Sequence, residues 1–84
     1  MTRQEIDREL RAIVARSFGV DASELTDATT AQDVDGWNSL AHATLLMRIE
    51  RIFNVDLDRG AAVGAQDLGA LASLIEQGLG ARDA

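Results

Sequence analysis

The residues of this chain that could take part in chemistry lie in one stretch, Asp33-Val34-Asp35-Gly36-Trp37-Asn38-Ser39-Leu40-Ala41-His42. Ser39 follows a glycine-containing loop and opens an amphipathic helical pattern, which predicts a hydroxyl at a helix N-terminus. Unpaired backbone N–H groups and the positive end of the helix dipole stabilise a phosphate at such a position. The hydroxyl could therefore become a phosphodiester without burying its charge. An ordinary serine in the first turn of a helix fits the same pattern, so the residues alone leave both interpretations open.

Two other functions, nucleophilic catalysis and calcium binding, have partial motifs in this stretch, but the motifs are incomplete and neither function is expected. Ser39 and His42 are three residues apart on one helix face, which is compatible with a nucleophile and its base. No third group is evident to orient the histidine, and no oxyanion pocket is indicated, so we expect His42 to lie at the surface or to pack against the loop. The pair Asp33 and Asp35 before Gly36 resembles part of a calcium loop, but the register places alanine and histidine where that loop requires acids.

The length of the chain limits the function further. Its 84 residues suffice for one domain, predicted to span residues 1–84 with an ordered core over about 3–80. A domain of this size buries only about 60% of the surface of its unfolded chain, which leaves little room for a deep substrate pocket. The sequence contains no cysteine and one histidine, so a thiolate nucleophile and a Cys- or His-rich metal site are also excluded. An enzyme is therefore not expected.

The charge and hydropathy of the chain indicate its partners. Fourteen acidic residues and eight arginines give a net charge of −6, which disfavours binding to nucleic acid and favours partners with basic patches. No apolar run approaches the ~20 residues that span a bilayer, and the N-terminus is not that of a signal peptide. We expect a cytoplasmic protein that does not bind membranes. In the absence of a large unexplained apolar patch, we expect a monomer.

The spacing of apolar residues predicts two well-defined helices. The first covers residues 3–18, with Thr2 and Glu5 at the spacing of a capping box and Gly19 as its terminator. The second covers residues 39–53, with Asn38 as N-cap and a left-handed ending at the residue after Phe53. The predicted inward residues of the two helices are Ile6, Leu10, Ile13, Val14 and Ala12 or Phe18, then Leu45, Ile49, Ile52 and Phe53.

The rest of the chain completes an all-α fold, a small four-helix bundle of three main helices and one short helix. A long first connection runs over about residues 20–38, with a helical turn at 23–25 and Val20, Leu25 and Val34 anchored in the core. A short helix is predicted near residues 59–63. A last helix over about 67–79 buries Leu68, Leu71, Ala72, Ile75 and Leu79, and Gly78 and Gly80 mark its end before a frayed tail at 81–84.

With these elements in place, the segment from Gly36 to His42, followed by Leu45, Ile49, Glu50 and Phe53, resembles the attachment region of acyl carrier proteins. The resemblance extends over nearly the whole chain, and it rests on the helix pattern, length and acidic charge together with an Asp-Ser-Leu-like motif. It implies that Ser39 receives 4′-phosphopantetheine from coenzyme A. A separate phosphopantetheinyl transferase with Mg²⁺ would catalyse this step. The domain itself would be non-catalytic and would present acyl thioesters to acyl-loading and acyl-processing enzymes.

The chain departs from the family pattern at two places. Asn38 replaces the usual aspartate, which keeps the N-cap but loses a charge that a transferase could use, so we expect slower or more selective modification. The exposed face of the second helix lacks the usual acids, so partner recognition is expected to depend on Leu40, Ala43, Leu46 and Met47. Leu46 is favoured over Met47, although either could instead belong to the core. This pattern favours a carrier of a specialised pathway, of polyketide or nonribosomal peptide type, over a fatty-acid carrier.

Several alternatives remain open at the level of the sequence. Trp37 is expected to pack against the loop or to shield the root of the arm. A peptidyl or aminoacyl carrier is the nearest alternative, although its usual Gly-Gly-His/Asp-Ser pattern is absent. A small helical adaptor that is never modified would explain the helices and the charge, but not the serine after Gly36, Trp37 and Asn38.

Overall fold

The chain folds into helices joined by one long loop. The computed structural model describes residues 1–65 and 67–83, and the all-α architecture is confirmed within this part. Its α-helices are α1 (Arg3–Phe18), α2 (Ser39–Phe53), α3 (Arg59–Gly64) and α4 (Leu68–Asp83), and two 3₁₀ turns lie between α1 and α2, at Ala22–Glu24 and Ala31–Asp33. None of the helices in the described ranges combines the length and the apolar character that a membrane crossing requires.

The first helix has the predicted bounds because both of its ends are capped as the sequence indicates. The Thr2 hydroxyl accepts a hydrogen bond from the Glu5 N–H, and the Thr2 N–H donates to Glu5 Oε1 at 2.9 Å. Hydrogen bonds from the Thr2 backbone and side chain lower the pKa of the Glu5 carboxyl. At the other end Gly19 takes a left-handed φ of 68° and donates to Ala15 O, which stops the helix at Phe18.

The second helix also has its predicted bounds, but one of its predicted core residues is wrong. Asn38 caps its start, and Asn54 ends it with a left-handed φ of 55°. Ile52 is 50% exposed and does not face the core. Leu46 is buried beside Leu45, so the centre of the inward stripe lies towards Leu46, and Ile52 falls on the opposite side of Leu45. The buried residues of the helix are Leu45, Leu46, Ile49 and Phe53.

The last helix is longer than predicted. It begins at Leu68, one residue after its capping Asp67, whose Oδ1 accepts from Ala70 N at 2.8 Å, and it continues to Asp83. The glycines at 78 and 80 therefore do not end it, and the predicted frayed tail is helical through residue 83, while Ala84 lies outside the described residues. A Cβ on Gly78 would lie 3.3 Å from Asp56 O, so this glycine permits close packing of α4 against the segment after α2.

One core joins all four helices. Helix α1 packs against α4 and α2, and α3 packs against α2 and α4. The five apolar residues predicted to face inward from the last helix are all buried, as are the four predicted from α1, while Phe18 is partly buried against the core. The largest fully buried side chains are Ile6, Leu10, Ile13, Leu45, Leu46, Ile49, Leu68, Leu71, Ile75 and Val14.

The long loop is fixed by its own apolar residues and by hydrogen bonds to α4. Leu25 and Val34 are 5% and 6% exposed, and Val20 packs at the edge of the core, as predicted. The first 3₁₀ turn lies one residue earlier than the predicted turn, and the second was not predicted. Thr29 O accepts from Leu68 N at 3.1 Å and Asp27 O accepts from Gly69 N at 2.9 Å, so the middle of the loop is tied to the start of α4.

The two glycines near the end of α4 provide a matched test of this packing. Gly80→Ala meets nothing within 4 Å, so it should stabilise the fold by up to about 1 kcal/mol through helix propensity. Gly78→Ala places its Cβ against the Asp56 carbonyl and 3.5 Å from Val55 Cβ, so this gain should be lost or reversed. Urea denaturation of both variants measures the difference. Equal stabilisation by the two substitutions would contradict the close approach at Gly78.

Candidate functional site

Ser39 lies on the surface at the first position of α2. Its side chain is exposed, and the preceding Asn38 caps the helix, since Asn38 Oδ1 accepts from Ala41 N at 2.9 Å. The backbone carbonyl of the same residue, Asn38 O, accepts from His42 N at 2.8 Å. At the first positions of a helix the backbone N–H groups have no intrahelical acceptor, so the positive end of the α2 dipole faces the Ser39 hydroxyl. This environment favours a phosphate ester on that hydroxyl.

Trp37 connects the loop before Ser39 to the end of α1. Its side chain is 8% exposed, and its ring stacks on Phe18 with centroids 5.2 Å apart and planes 17° apart. Gly36 takes a positive φ of 86° directly before it, a conformation that favours glycine and turns the chain towards the helix start. Trp37 was expected to pack against the loop or to shield the root of the arm, and the structure shows it packed against Phe18 of α1 and His42 of α2. The stack holds the loop immediately before Ser39 against the core.

His42 joins Trp37 to helix α3. Trp37 Nε1 donates to His42 Nδ1 at 3.1 Å, and His42 Nε2 lies 2.8 Å from Ala62 O. An indole N–H can only donate and a carbonyl oxygen can only accept, so Nδ1 carries the lone pair and Nε2 carries the proton. The imidazole is therefore neutral, with its one lone pair occupied by Trp37.

The same hydrogen bonds exclude His42 as a base for Ser39. A general base needs a free lone pair within reach of the hydroxyl proton, and both His42 ring nitrogens already have partners. The expected packing of His42 against the loop is confirmed through Trp37, whose ring also stacks on the imidazole with centroids 6.0 Å apart. No nucleophile–base pair is formed by these two residues.

A groove of about 600 Å³ begins beside Ser39. The loop before α2, the first two turns of α2 and the short helix α3 form its walls. Its lining combines polar side chains with the buried faces of Trp37 and Leu46. The lining residues are Thr30, Ala31, Gln32, Trp37, Asn38, Ser39, His42, Ala43, Leu46, Arg59, Val63 and Ala65. The groove is large enough to accept a flexible chain attached at Ser39.

Helix α3 is held to α2 by a second set of contacts. Arg59, at the start of α3, pairs with Glu50 Oε1, and Glu50 Oε2 accepts from Leu57 N at 3.0 Å. The side chain of Glu50 is 17% exposed, so its charge is directed at α3 rather than at solvent. These contacts fix the start of α3 beside the groove, while His42 contacts its middle at Ala62.

The predicted recognition residues are divided between the surface and the core. Leu40 and Met47 are 78% and 56% exposed, and Ala43 is also exposed. Leu46 was expected to lie on a partner surface, and this prediction is wrong. Leu46 is only 1% exposed, belongs to the core and lines the groove. The reason is the rotation of α2, because Leu46 lies one residue after Leu45 and three before Ile49, within the inward stripe.

Six groove residues were not identified from the sequence as part of the site: Thr30, Ala31, Gln32, Arg59, Val63 and Ala65. Arg59 and Val63 come from α3, twenty or more residues after Ser39, and Gln32 comes from the unpredicted 3₁₀ turn. Only the proximity of helices distant in sequence brings them to Ser39, and no local pattern carries that information. Asp33, one of the two acids with calcium-loop spacing, instead accepts hydrogen bonds from Thr30 N at 2.9 Å and Thr30 Oγ1 at 3.1 Å and caps that turn.

The sequence and fold are similar to those of known carrier proteins. The family model described as "Phosphopantetheine attachment site" matches residues 8–75. An acyl carrier protein of Guillardia theta is 36% identical over 78 residues, which cover 92% of this chain and 95% of that protein. An acyl carrier protein of Thermotoga maritima is 32% identical over 79 residues, which cover 94% of this chain and 98% of that protein.

A solved structure has the same fold. The solution NMR structure of the holo acyl carrier protein from Geobacter metallireducens aligns with a TM-score of 0.79 at 29% identity. The alignment covers 90% of this chain and 87% of that one. The likeness therefore extends over the helices and the loop that position Ser39.

Removing the cap before Ser39 should destabilise the site. Asn38→Ala leaves the Ala41 N–H without its acceptor, so the free energy of unfolding should fall by about 1 kcal/mol. Asn38→Asp keeps an acceptor at the same position and adds a charge that the helix dipole favours, so it should be at least as stable as the parent. Urea denaturation compares the three proteins. A parent-like Asn38→Ala variant would show that the cap contributes nothing.

Proposed function

We propose that Ser39 carries the prosthetic group of this chain, which belongs to the phosphopantetheine attachment-site family and is an acyl carrier protein. The observation that supports the proposal is the exposed Ser39 hydroxyl at the N-terminus of α2, beside the groove. The adjacent histidine is occupied by Trp37 and Ala62 and so does not give this serine a catalytic role.

The protein is a non-catalytic carrier with a 4′-phosphopantetheine prosthetic group. When bound, this group supplies the thiol on which acyl groups are carried as thioesters. The chain itself contains no cysteine, so it has no competing thiol of its own. Proteins of this kind work with the biosynthetic enzymes that load and process their acyl groups.

The residues around Ser39 fit such a group. The helix N-terminus favours the negative charge of a phosphodiester, and Asn38 keeps the cap without placing an anion beside it. The groove offers both polar side chains at its edge and the apolar faces of Trp37 and Leu46 to a flexible amide-containing arm. Ser39 would hold the group covalently, and the backbone N–H groups in the first turn of α2 would stabilise the negative charge of the phosphodiester.

We propose that modification is catalysed by a phosphopantetheinyl transferase that holds coenzyme A and Mg²⁺. Ser39 Oγ attacks the β-phosphate of coenzyme A, a new P–O bond forms to the 4′-phosphopantetheine, and 3′,5′-ADP leaves. The hydroxyl proton passes to the transferase, since His42 has no free lone pair to accept it. The carrier contributes position and exposure, and the transferase contributes the charge neutralisation.

The proposed partner surface is the outer face of α2. Leu40, Ala43 and Met47 are exposed on it, and the charged residues further along are Arg48 and Arg51, also exposed. Glu50 does not contribute to this face because it is paired with Arg59. Recognition would therefore depend on apolar contact more than on acidic charge, which favours a carrier of a specialised polyketide or nonribosomal peptide type pathway.

We further propose that residues 1–84 act as a single monomeric carrier domain in the cytoplasm. The single core that joins all four helices supports one domain. A reducing compartment would keep the thiol of the arm free for acylation.

Intact-mass measurement tests the proposal directly. After incubation with coenzyme A, Mg²⁺ and a broad-specificity phosphopantetheinyl transferase, the parent should gain about 340 Da, the mass of one phosphopantetheine unit. Ser39→Ala should gain nothing, and Ser23→Ala, which removes another exposed serine, should be modified like the parent. Acyl or aminoacyl loading of the new thiol then separates an acyl from a peptidyl carrier. No gain with several transferases would instead favour an unmodified adaptor.

The asparagine before Ser39 should slow this modification. Restoring the charge with Asn38→Asp should raise the initial rate by about two- to tenfold, as expected for one charge at the rim of an encounter surface. Asn38→Ser is the matched control because serine also caps a helix but brings no charge. Initial rates at two salt concentrations measure the effect, which should shrink at higher salt. Equal rates for the parent and both variants would contradict a role for the missing charge.

A further inference from the structure

Helix α3 is a wall of the groove with few contacts of its own. It has six residues, of which Ala62 is buried and Val63 is 71% exposed. A helix this short is not stable by itself and depends on its tertiary contacts. Its start is fixed by the contacts of Glu50 with Arg59 and Leu57. Its middle is contacted by the His42 side chain at Ala62 O.

The Ala62 carbonyl is the point at which α2 contacts the backbone of α3. This oxygen accepts from His42 Nε2 at 2.8 Å and also from Ala65 N at 3.3 Å, at the end of the same short helix. The Ala62 N–H donates to Asp58 O at 2.8 Å, across the first turn. His42 therefore contacts the residue whose backbone N–H and C=O both take part in the hydrogen bonds of α3.

The hydrogen bond from Trp37 determines which His42 nitrogen carries the proton that is donated to Ala62 O. Because the indole N–H must donate to Nδ1, the neutral imidazole has its proton on Nε2, the tautomer that can donate to a carbonyl. In the opposite tautomer the N–H at Nδ1 would face the N–H of Trp37. The lone pair at Nε2 would face the carbonyl oxygen of Ala62. The loop before Ser39 thus selects the form of His42 that holds α3.

We propose that His42 is a positioning residue for the prosthetic arm: as the Nε2–H tautomer selected by Trp37, it fixes α3 at Ala62 and so sets the wall of the groove beside Ser39. This inference rests on the proposed function for its consequence, because the groove matters to the arm only if Ser39 carries it. The contacts themselves exist in the unmodified protein. The two parts of the inference can therefore be tested separately.

Two variants of His42 separate its two hydrogen bonds. His42→Gln keeps an amide N–H near the position of Nε2 and so retains the donor to Ala62, whereas His42→Asn keeps an oxygen near Nδ1 and retains only the acceptor for Trp37. Amide hydrogen exchange of Ala62 and Ala65 in the unmodified protein measures the order of α3. Loss of one net hydrogen bond should speed this exchange about fivefold in His42→Asn, and His42→Gln should restore most of the protection.

Internal controls distinguish positioning from general destabilisation. The amides of Leu45 and Ile49, in the buried part of α2, should exchange at parent rates in both variants. The ¹⁵N shifts and couplings of the His42 ring in the parent should report a proton on Nε2 and none on Nδ1, which requires no substitution. The proposal is overturned by the Nδ1–H tautomer, or by Asn and Gln variants that show the same exchange at Ala62 and Ala65.

The consequence for the arm is measured after modification. Apo-to-holo shift changes at the groove residues Ala31, Val63 and Ala65 should be smaller in His42→Asn than in the parent and should recover in His42→Gln. Equal shift changes in all three holo proteins would overturn the positioning of the arm even if α3 behaves as expected. If the parent is not modified at all, the proposed function fails, while the exchange measurement on the unmodified chain still decides the role of His42 in holding α3.

Discussion

The exposure of Ser39 depends on the burial of one face of α2. Residues three and four apart lie on the same face of a helix, so burying one stripe fixes the rotation of the whole helix about its axis. The stripe consists of Leu45, Leu46, Ile49 and Phe53, each at most 6% exposed. With that rotation set, Ser39 and Leu40 at the start of the helix lie in solvent. The core of the bundle thereby presents the Ser39 hydroxyl to solvent.

The loop before Ser39 is ordered by the same core. A connection of this length costs conformational entropy, which it recovers only by burying residues of its own. Leu25 and Val34 are anchored in the core, and Trp37 stacks between Phe18 and His42. Trp37 also donates to His42, which contacts α3. The end of α1, the start of α2 and the middle of α3 therefore meet at one aromatic cluster beside Ser39.

Much of the fold could be predicted from the sequence because its signals are local. Capping residues fixed the bounds of α1 and α2, since Thr2, Asn38 and the left-handed residues Gly19 and Asn54 act on neighbouring backbone groups. The spacing of apolar residues identified most of the core, although Val55, Leu57 and Ala62 were not predicted to belong to it. The serine at a helix start, together with the resemblance of its surroundings to a carrier motif, predicted the family.

Features that depend on contacts between distant segments could not be predicted from the sequence. Gly78 resembles a helix terminator in sequence, yet it lies inside α4, where the absence of a side chain leaves room for the close approach of Asp56 O. Leu46 and Met47 are equally apolar, and the packing of α2 buries the first and exposes the second. The groove needs α3 beside α2, and the proton on His42 is assigned by partners five and twenty residues away. The bounds of α1 and α2, their caps and the candidate serine could be predicted from the sequence because they follow from local hydrogen bonding and periodicity. The site around that serine follows from three-dimensional proximity.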